Sequence, residues 1–310
     1  MRSPVRIGTR GSALALYQSE LVRAKLKTLF PLVEFVLITI RTKGDMIRRT
    51  AISTIGRGIF TRELEEALLA NRVDLAVHSA KDLTTQLPAG LVIGALIERE
   101  DPRDCLVARG GLRLSELPAA SRIGTSSLRR RAQLVRLRND LKICEMRGNI
   151  DSRLRKVERG EIDGVVLAHA GLKRLGLSGS VSEVFDCDTV LPQPAQGAIA
   201  VEGRLNDSDT KELMELVNHM PTFYCVAAER SFLDRLEGGC QIPTGISSQV
   251  VGSRLNLKGA IFSLDGNEAI SGVVSDLLER AVSAGSDLAA QILQAGGRRV
   301  LDEIRAETKN

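Results

Sequence analysis

One cysteine of this chain stands in a turn-rich stretch rather than in an apolar run. Cys240 lies in the segment Leu236-Glu237-Gly238-Gly239-Cys240-Gln241-Ile242-Pro243-Thr244-Gly245. Glycine and proline favour turns, so we expect the thiol at a surface or in a cleft, where another molecule can reach it. The alternative is that Cys240 is a small buried apolar residue, as most unpaired cysteines are.

A lysine and an aspartate follow a predicted strand in the first third of the chain. The strand, at residues 73–77, leads directly into His78-Ser79-Ala80-Lys81-Asp82. In open α/β sheets the carboxyl ends of the strands face the ligand crevice, so Lys81 and Asp82 are candidates for chemistry. A surface ion pair is the alternative interpretation.

Three hydroxyl residues precede three arginines at the start of a predicted helix. Thr125, Ser126 and Ser127 follow a predicted strand at residues 122–124 and can cap a helix that runs to about residue 137. A helix N-terminus with free backbone amides, hydroxyls and guanidinium groups suits an anion, especially a carboxylate or a phosphate. The arginines at this helix start are Arg129, Arg130 and Arg131.

Two further predicted strands also lead to arginines. The strand at residues 141–144 precedes Arg147 and a helix that contains Arg153, and the strand at residues 164–168 precedes Arg174. Three successive strand ends are therefore expected to bring arginines to one rim. The alternative is that these arginines point separately into water.

The composition limits the classes of partner. Of the 310 residues 43% are hydrophobic, enough for two or three domains, and the formal net charge is +5. The chain has no Trp, two Tyr and seven Phe, and the basic segment at residues 122–155 contains none of them. Because nucleic-acid binders usually add stacking aromatics to a basic patch, smaller anions are the better match.

Cysteine usage and the N-terminus indicate the compartment. The five cysteines form no CxxC pair and lie near no histidine cluster, so neither a disulfide framework nor a zinc site is predicted. The chain begins without the apolar segment of a signal peptide, and no apolar run approaches about 18 residues. We therefore expect a cytoplasmic protein with no membrane span and no metal.

The predicted elements place these residues in a two-lobed protein. A strand at residues 5–9, a helix capped by Ser12 and a strand at residues 34–40 open the chain. A long polar connection at residues 41–59 is a candidate binding loop, and a helix capped by Thr61 follows it.

Two crossings divide the chain into predicted domains. Segments at residues 98–103 and 191–197 have the composition of hinges, which suits two lobes around a cleft. The lobes comprise residues 1–98 with 197–217, and residues 99–196. Residues 218–310 are typical of a third, α+β domain, with antiparallel strands and a hairpin turn at Asp265-Gly266.

Seven motifs, in order along nearly the whole chain, resemble those of the porphobilinogen deaminase (hydroxymethylbilane synthase) family. Any one of them is weak alone, but the ordered set is specific. The motifs are Thr9-Arg10-Gly11-Ser12, His78-Ser79-Ala80-Lys81-Asp82, Glu100-Asp101-Pro102-Arg103-Asp104, Gly124-Thr125-Ser126-Ser127-Leu128-Arg129-Arg130, Arg147-Gly148-Asn149, Ala170-Gly171-Leu172-Lys173-Arg174-Leu175-Gly176 and Leu236-Glu237-Gly238-Gly239-Cys240-Gln241.

The resemblance implies an α/β fold of two periplasmic-binding-protein-like lobes with a hinged cleft, plus a C-terminal α+β domain. It implies a transferase that joins four porphobilinogen molecules head to tail into hydroxymethylbilane, with release of four ammonia, in haem and chlorophyll biosynthesis. The cofactor would be a dipyrromethane held by a thioether to Cys240. The enzyme would be a monomer, and its product would pass to the next tetrapyrrole enzyme.

The resemblance also assigns site residues. Asp82 would be the central catalytic residue, because a carboxylate facing pyrrole N–H groups can stabilise the positive charge left by loss of ammonia and assist proton transfers. Guanidinium groups suit the acetate and propionate of each pyrrole. The residues that would bind cofactor or substrate are Arg10, Ser12, Arg57, Lys81, Thr125, Ser126, Ser127, Arg129, Arg130, Arg147, Arg153 and Arg174.

One loop departs from the family pattern. Residues 55–60 read Ile-Gly-Arg-Gly-Ile-Phe, where the family commonly has Gly-Gly-Lys-Gly-Leu-Phe. Arg57 keeps the positive charge, but the flexibility of the loop and the contact it makes are open. The alternative functions are a non-catalytic two-lobed anion-binding or sensor protein, which gives no reason for Cys240 or Asp82, and a nucleic-acid binder.

Overall fold

The computed structural model describes residues 3–46, 58–237 and 242–309. Three predictions fall partly or wholly outside these ranges: the candidate binding loop, the contact of Arg57 and the exposure of Cys240. They stay predictions.

The chain opens with the β-α-β unit expected from its sequence. Ser12 caps the first helix as predicted, since its Oγ accepts a hydrogen bond from Ala15 N at 3.3 Å. The predicted cap at Thr61 is wrong: its backbone is already helical (φ −117°, ψ −30°) and its side chain makes no cap bond. The elements are β1 (Val5–Thr9), α1 (Ala13–Leu29), β2 (Phe35–Thr39), α2 (Lys43–Met46), α3 (Arg62–Leu69), β3 (Leu75–Ser79) and β4 (Leu91–Ile97).

A second α/β segment follows and contains two strands that the sequence did not predict, at residues 104–108 and 183–184. The first begins on the charged residue Asp104 and runs antiparallel to its neighbour in the sheet. Its apolar part is only four residues long, and so short a run does not distinguish a strand from a buried helix segment. The elements are β5 (Asp104–Ala108), β6 (Arg122–Gly124), α4 (Leu128–Leu137), β7 (Lys142–Cys144), α5 (Ile150–Glu158), β8 (Gly164–Ala168), α6 (His169–Arg174) and β9 (Glu183–Val184).

The chain then returns to the first sheet through β10 (Ile199–Arg204), followed by α7 (Ser208–Val217) and α8 (Met220–Arg235). The first sheet has the order β2-β1-β3-β10-β4, with β10 antiparallel to β3 and β4. The second has the order β7-β6-β8-β5-β9, in which β6 is parallel to both of its neighbours. Both are mixed sheets.

The C-terminal part forms an antiparallel meander with helices against it. Its elements are β11 (Thr244–Val251), β12 (Arg254–Phe262), β13 (Ala269–Leu277), α9 (Ala281–Ile292) and α10 (Arg298–Lys309). Phe232 of α8 and Leu288 of α9 are fully buried in its core. The hairpin turn predicted at Asp265-Gly266 is present, and Gly266 has a φ of +75°, which a glycine adopts without strain.

Strand β3 of the first sheet packs against helices on both of its faces. Leu75 and Val77 of β3 pack with Val22 and Leu26 of α1 on one face. Ala76, between them in sequence, packs on the other face with Leu64 of α3. The residues that follow β3 are therefore attached to a strand covered on both faces.

The chain divides into two compact units, residues 1–100 with 197–223, and residues 101–196 with 224–310. Two mixed α/β sheets and a C-terminal three-stranded sheet with helices confirm the predicted fold class. The finer partition at residues 98 and 217 stays a prediction. None of the described helices is long and apolar enough to cross a membrane.

Candidate functional site

Asp82 lies in a short turn directly after β3. Residues Ala80–Asp82 form a single 3₁₀ turn, and Ala80 N donates to Ala198 O at 3.0 Å. The Asp82 side chain is half-buried. Within the described residues it makes neither an ion pair nor a side-chain hydrogen bond, so its carboxylate has acceptor capacity left for a cationic or N–H-bearing ligand.

Three other predicted site residues share this sheet edge with Asp82. Arg10 and Ser12 follow β1, and Lys81 follows β3. Because β1 and β3 are parallel neighbours, their carboxyl ends meet at the same edge of the sheet. The guanidinium carbon of Arg10 lies 4.3 Å from the centre of the Phe60 ring, a cation–π contact that holds the side chain over the start of the α3 region.

The three predicted hydroxyls all bond to the local backbone. Ser127 caps α4 by accepting from Arg130 N at 3.4 Å, and Thr125 Oγ1 accepts from Ser127 N at 3.2 Å. Ser126 Oγ donates to Met146 O at 2.6 Å and accepts from Met146 N at 3.0 Å, which joins the ends of β6 and β7. Their first task is thus to shape the helix start, and ligand binding by them stays a prediction.

Arg129 and Arg130 are buried against Asp104, a residue to which the sequence assigned no role. Arg129 Nη1 lies 2.7 Å from Asp104 Oδ2, and Arg130 Nη2 lies 2.7 Å from Asp104 Oδ1. Arg130 also donates to Val166 O at 2.9 Å. Burial raises the pKa of Asp104, but the charges of Arg129 and Arg130 outweigh it and hold that pKa well below its usual range.

Gln196 completes this network. Its Nε2 donates to Asp104 Oδ1 at 2.8 Å and to Pro102 O at 2.7 Å. The sequence indicated neither Gln196 nor Asp104 as functional, since one lies in a hinge-like segment and the other at the start of an unpredicted strand. Asp104 does fall within a motif on which the family resemblance rests. The signal that could have indicated its role is the need of the consecutive arginines for an acidic partner.

Arg153 is largely enclosed and has no carboxylate partner among the described residues. Its Nε donates to Gly148 O at 2.8 Å. Burial, together with the positive charges of Arg130 and Arg147, lowers the pKa of Arg153 to about 10. An anion beside it would relieve both effects. We call Arg129, Arg130, Arg147 and Arg153 the arginine cluster.

The remaining arginines of the rim differ in exposure. Arg147 is half-buried and lies 3.3 Å from Glu145, which is itself largely exposed. Arg174, the last residue of α6, is buried at 9% exposure. Since β6, β7 and β8 are parallel neighbours, the predicted delivery of arginines to one rim is consistent with the topology.

Comparison with known proteins identifies the family. Residues 5–212 match the family described as porphobilinogen deaminase, dipyromethane cofactor binding domain, and residues 223–294 match porphobilinogen deaminase, C-terminal domain. The chain belongs to the porphobilinogen deaminase family. The family name carries the enzyme class, a transferase that is also called hydroxymethylbilane synthase, so the predicted activity is confirmed and the non-catalytic alternative is not favoured.

Curated porphobilinogen deaminases match this chain over almost its full length. That of Carboxydothermus hydrogenoformans is 46% identical over 308 residues, which are 99% of this chain and 99% of the relative. That of Desulforudis audaxviator is 47% identical over 307 residues, again 99% of each. That of Pelotomaculum thermopropionicum is 44% identical over 310 residues, 100% of this chain and 99% of the relative.

Solved structures resemble the chain more weakly. The periplasmic aliphatic sulphonate binding protein SsuA of Escherichia coli has a TM-score of 0.40 at 17% identity and covers 76% of this chain and 70% of its own. A lipoprotein of the YaeC family from Enterococcus faecalis has a TM-score of 0.42 at 12% identity, with 70% and 91% covered. Nothing about the ligand of this chain follows from likenesses at this level.

The cofactor of the porphobilinogen deaminase family, a dipyrromethane with carboxylates on its rings, fits the described residues. Arg129 is 4% exposed, yet its Nε and Nη2 have no hydrogen-bond partner among the described residues. Buried donors of this kind call for an acceptor, and a carboxylate satisfies two of them at once. Together with the uncompensated charge of Arg153, these donors make the arginine cluster suitable for an anionic group.

Four of the five cysteines lie among the described residues. Cys105 and Cys225 are buried, and Cys144 and Cys187 are partly exposed. Burial, with a further contribution from Asp104, raises the pKa of Cys105 to about 12, so this thiol stays protonated and unreactive at neutral pH. Alkylation of Cys105 is therefore disfavoured, and the assignment of the attachment to Cys240 stays a prediction.

Proposed function

We propose that this chain condenses four porphobilinogen molecules into hydroxymethylbilane with release of four ammonia, using Asp82 as its catalytic carboxylate and Cys240 as the attachment point of the dipyrromethane. The structural observation that carries the proposal is the arginine cluster, in which Arg153 has no carboxylate partner among the described residues. Its excess of positive charge suits a ligand whose negative charge grows as the reaction proceeds.

The arginine cluster holds the carboxylates of the growing chain. Each pyrrole unit brings an acetate and a propionate, and planar guanidinium groups bind carboxylates through two parallel hydrogen bonds. Arg129 offers for this purpose its Nε and Nη2, which have no partner among the described residues, while Asp104 keeps the other side of the guanidinium fixed. Arg153, Arg147 and Arg174 add charge that can be shared as the bound chain lengthens.

Asp82 stabilises the positive charge that develops on the substrate. Loss of ammonia from porphobilinogen leaves a cation on the substrate pyrrole, and an ionised carboxylate next to the ring N–H stabilises it. The same carboxylate can accept a proton from the attacked ring carbon and pass it on. Since Asp82 has no cation of its own to neutralise it within the described residues, its full charge is available to the substrate.

The other predicted residues at this edge position the substrate. Lys81 and Arg10 supply positive charge for its carboxylates, and Phe60 restricts the Arg10 side chain. Ser12 retains an O–H donor while its oxygen caps α1. Arg57 would add a further cation from the loop that follows α2.

When bound, the dipyrromethane supplies the free pyrrole carbon to which the first substrate is joined. The thioether to Cys240 would keep the growing chain in place between additions, which turns each addition into a reaction of positioned groups. We further propose that the protein acts in the cytoplasm as a monomer, without nucleic acid or membrane, and passes its product to the next tetrapyrrole enzyme.

The test of this proposal combines mass with colour. The purified protein is incubated with porphobilinogen, and its intact mass, the mapped modified peptide and a pyrrole-reactive colour assay are recorded. We expect a mass increase of a dipyrromethane located on Cys240, and formation of hydroxymethylbilane. A protein that keeps its bare sequence mass and forms no product would refute the function, whereas attachment at another residue would refute only the role of Cys240.

A further inference from the structure

The first sheet contains a buried hydrogen-bonded pair of titratable side chains that the mechanism above does not use. His78 Nε2 of β3 lies 3.0 Å from Glu202 Oε2 of β10, and the two side chains are 2% and 0% exposed. Glu65 of α3 is buried next to them. Burial raises the pKa of Glu65, and the Glu202 charge adds to this, against a hydrogen bond from Thr61 and the charges of His78 and Arg62.

This pair lies on the strand that leads to Asp82. β3 is bonded to β1 only at Leu75 and Ala76, whereas its ladder with β10 continues to Ser79. The last residues of β3 therefore have one backbone neighbour rather than two among the described strands. The His78–Glu202 contact adds a side-chain hydrogen bond between β3 and β10, the neighbour that remains.

The strand end is also held on its opposite face. Successive side chains of a strand point to opposite faces, and Ser79 Oγ exchanges two hydrogen bonds with the Gln18 side chain of α1, at 3.0 and 3.1 Å. The position of Asp82, three residues later, is thus set through its backbone, since its own side chain has no partner within the described residues.

We propose that the buried His78–Glu202 pair is a positioning device for Asp82, an inference that rests on the proposed catalytic role of Asp82. It fixes the end of β3 against β10 and so holds the Asp82 carboxylate where the developing positive charge of the substrate forms. A misplacement of about 1 Å at a reacting group can cost on the order of 100-fold in rate. Loss of the pair should therefore lower kcat far more than it weakens substrate binding.

The competing interpretation is a buried ion pair that only stabilises the fold. The other end of β3 provides a matched control for this. Asp74, just before β3, is fully buried and bonded to Arg6 at 2.9 Å and to Arg204 at 3.3 Å. Its replacement should also destabilise the first sheet, but at the end of the strand remote from Asp82.

The experiment compares His78→Leu, His78→Gln, Glu202→Met and Asp74→Asn as cofactor-loaded proteins, with the loading counted by intact mass. We expect His78→Leu to lower kcat by about 10- to 100-fold while KM changes much less. His78→Gln should recover most of kcat, because the Gln amide nitrogen reaches about as far as the imidazole Nε2 and can still donate to Glu202. Asp74→Asn should lower the melting temperature and leave kcat per loaded molecule near the wild-type value.

The Glu202 variant gives a second, independent test. If His78→Leu does not fold, Glu202→Met, which keeps a similar volume and removes the acceptor of the His78 contact, should still lower kcat per loaded molecule by more than Asp74→Asn does. Wild-type kcat in the folded His78 and Glu202 variants, or losses that only follow the melting temperature as in Asp74→Asn, would overturn the proposal. An inactive wild-type protein would instead refute the proposed function.

Discussion

Two aspartates next to strands of this molecule have opposite surroundings. Asp82, after β3, is half-buried and has no ion pair or side-chain hydrogen bond within the described residues. Asp104, at the start of β5, is fully buried and lies 2.7 Å from both Arg129 and Arg130. Both side chains are carboxylates, but within the described residues the fold pairs only that of Asp104 with arginines.

We propose that this difference separates a structural carboxylate, Asp104, from a reactive one, Asp82. The carboxylate of Asp104 neutralises arginines that would otherwise be buried alone and so fixes their guanidinium groups. Arg129 Nε and Nη2 have no hydrogen-bond partner among the described residues. The carboxylate of Asp82 neutralises nothing in the described protein and can respond to a substrate. Substitutions at the two positions should therefore fail in different ways.

The largest expected effect is on turnover at Asp82. Asp82→Asn keeps the shape of the side chain but removes its charge, so we expect kcat to fall by about 100-fold or more with the fold and the bound cofactor retained. Circular dichroism, intact mass and steady-state kinetics check this. Asp188→Asn, at an exposed aspartate paired with Lys258, is the control, and near-normal turnover of Asp82→Asn would remove Asp82 from the chemistry.

The next effect is on stability at Asp104. Asp104→Ala leaves two buried guanidinium groups without their carboxylate, so we expect the free energy of unfolding to fall by about 3–5 kcal/mol. Denaturant titration measures it. The control is Asp140→Ala, which removes an exposed partner of Arg138 and should change the unfolding midpoint little. Equal midpoints for the two variants would show that Asp104 does not hold the arginines in place.

Much of the fold could be predicted from local signals in the sequence. Ser12 and Ser127 indicated where helices begin, and β1, β6 and β8 were predicted as short strands. Thr61 misled the prediction, because a hydroxyl before a helix caps it only if its own backbone is extended. β5 was missed because its apolar run of four residues does not by itself distinguish a strand from a buried helix segment.

The candidate site could be predicted from the sequence only in part, for a different reason. Residue types and motif order indicated Asp82 and the arginines, but not which charges are already paired within the fold. Asp104 lies 26 residues before Arg130, and Glu202 lies 124 residues after His78. Partnerships over such separations depend on strand order, which no local pattern of residues specifies.

A smaller effect separates the arginines of the cluster from one another. Arg153 has no carboxylate partner among the described residues, so Arg153→Met should leave the stability of the cofactor-free protein unchanged or higher, unlike Asp104→Ala. It should raise KM for porphobilinogen by roughly tenfold, the cost of a charged hydrogen bond. Arg155→Met, at an exposed arginine of the same helix, is the control. A large loss of stability in Arg153→Met would assign Arg153 to the structure rather than to ligand binding.

The smallest effect concerns Asp101, which is half-buried like Asp82 but paired like Asp104. It lies 2.7 Å from Arg103 and 3.1 Å from His169. Burial raises the pKa of Asp101, but the hydrogen bonds from Arg103 and His169 outweigh it and hold that pKa well below its ordinary value of 3.8. A lowered folded-state pKa means that the stabilisation is present above 3.8 and is lost as the pH falls toward the folded-state value.

We therefore expect the unfolding free energy of Asp101→Asn to be below wild type at pH 7 and to fall less steeply below about pH 4. Denaturant titrations at neutral and acidic pH measure both slopes, with Asp287→Asn at an exposed position of α9 as the control. A parallel acid response in the wild type and Asp101→Asn would mean that the pairing contributes nothing. Asp101 would then belong with Asp82, as a carboxylate that the fold leaves available, and pairing alone would no longer separate the two kinds of aspartate.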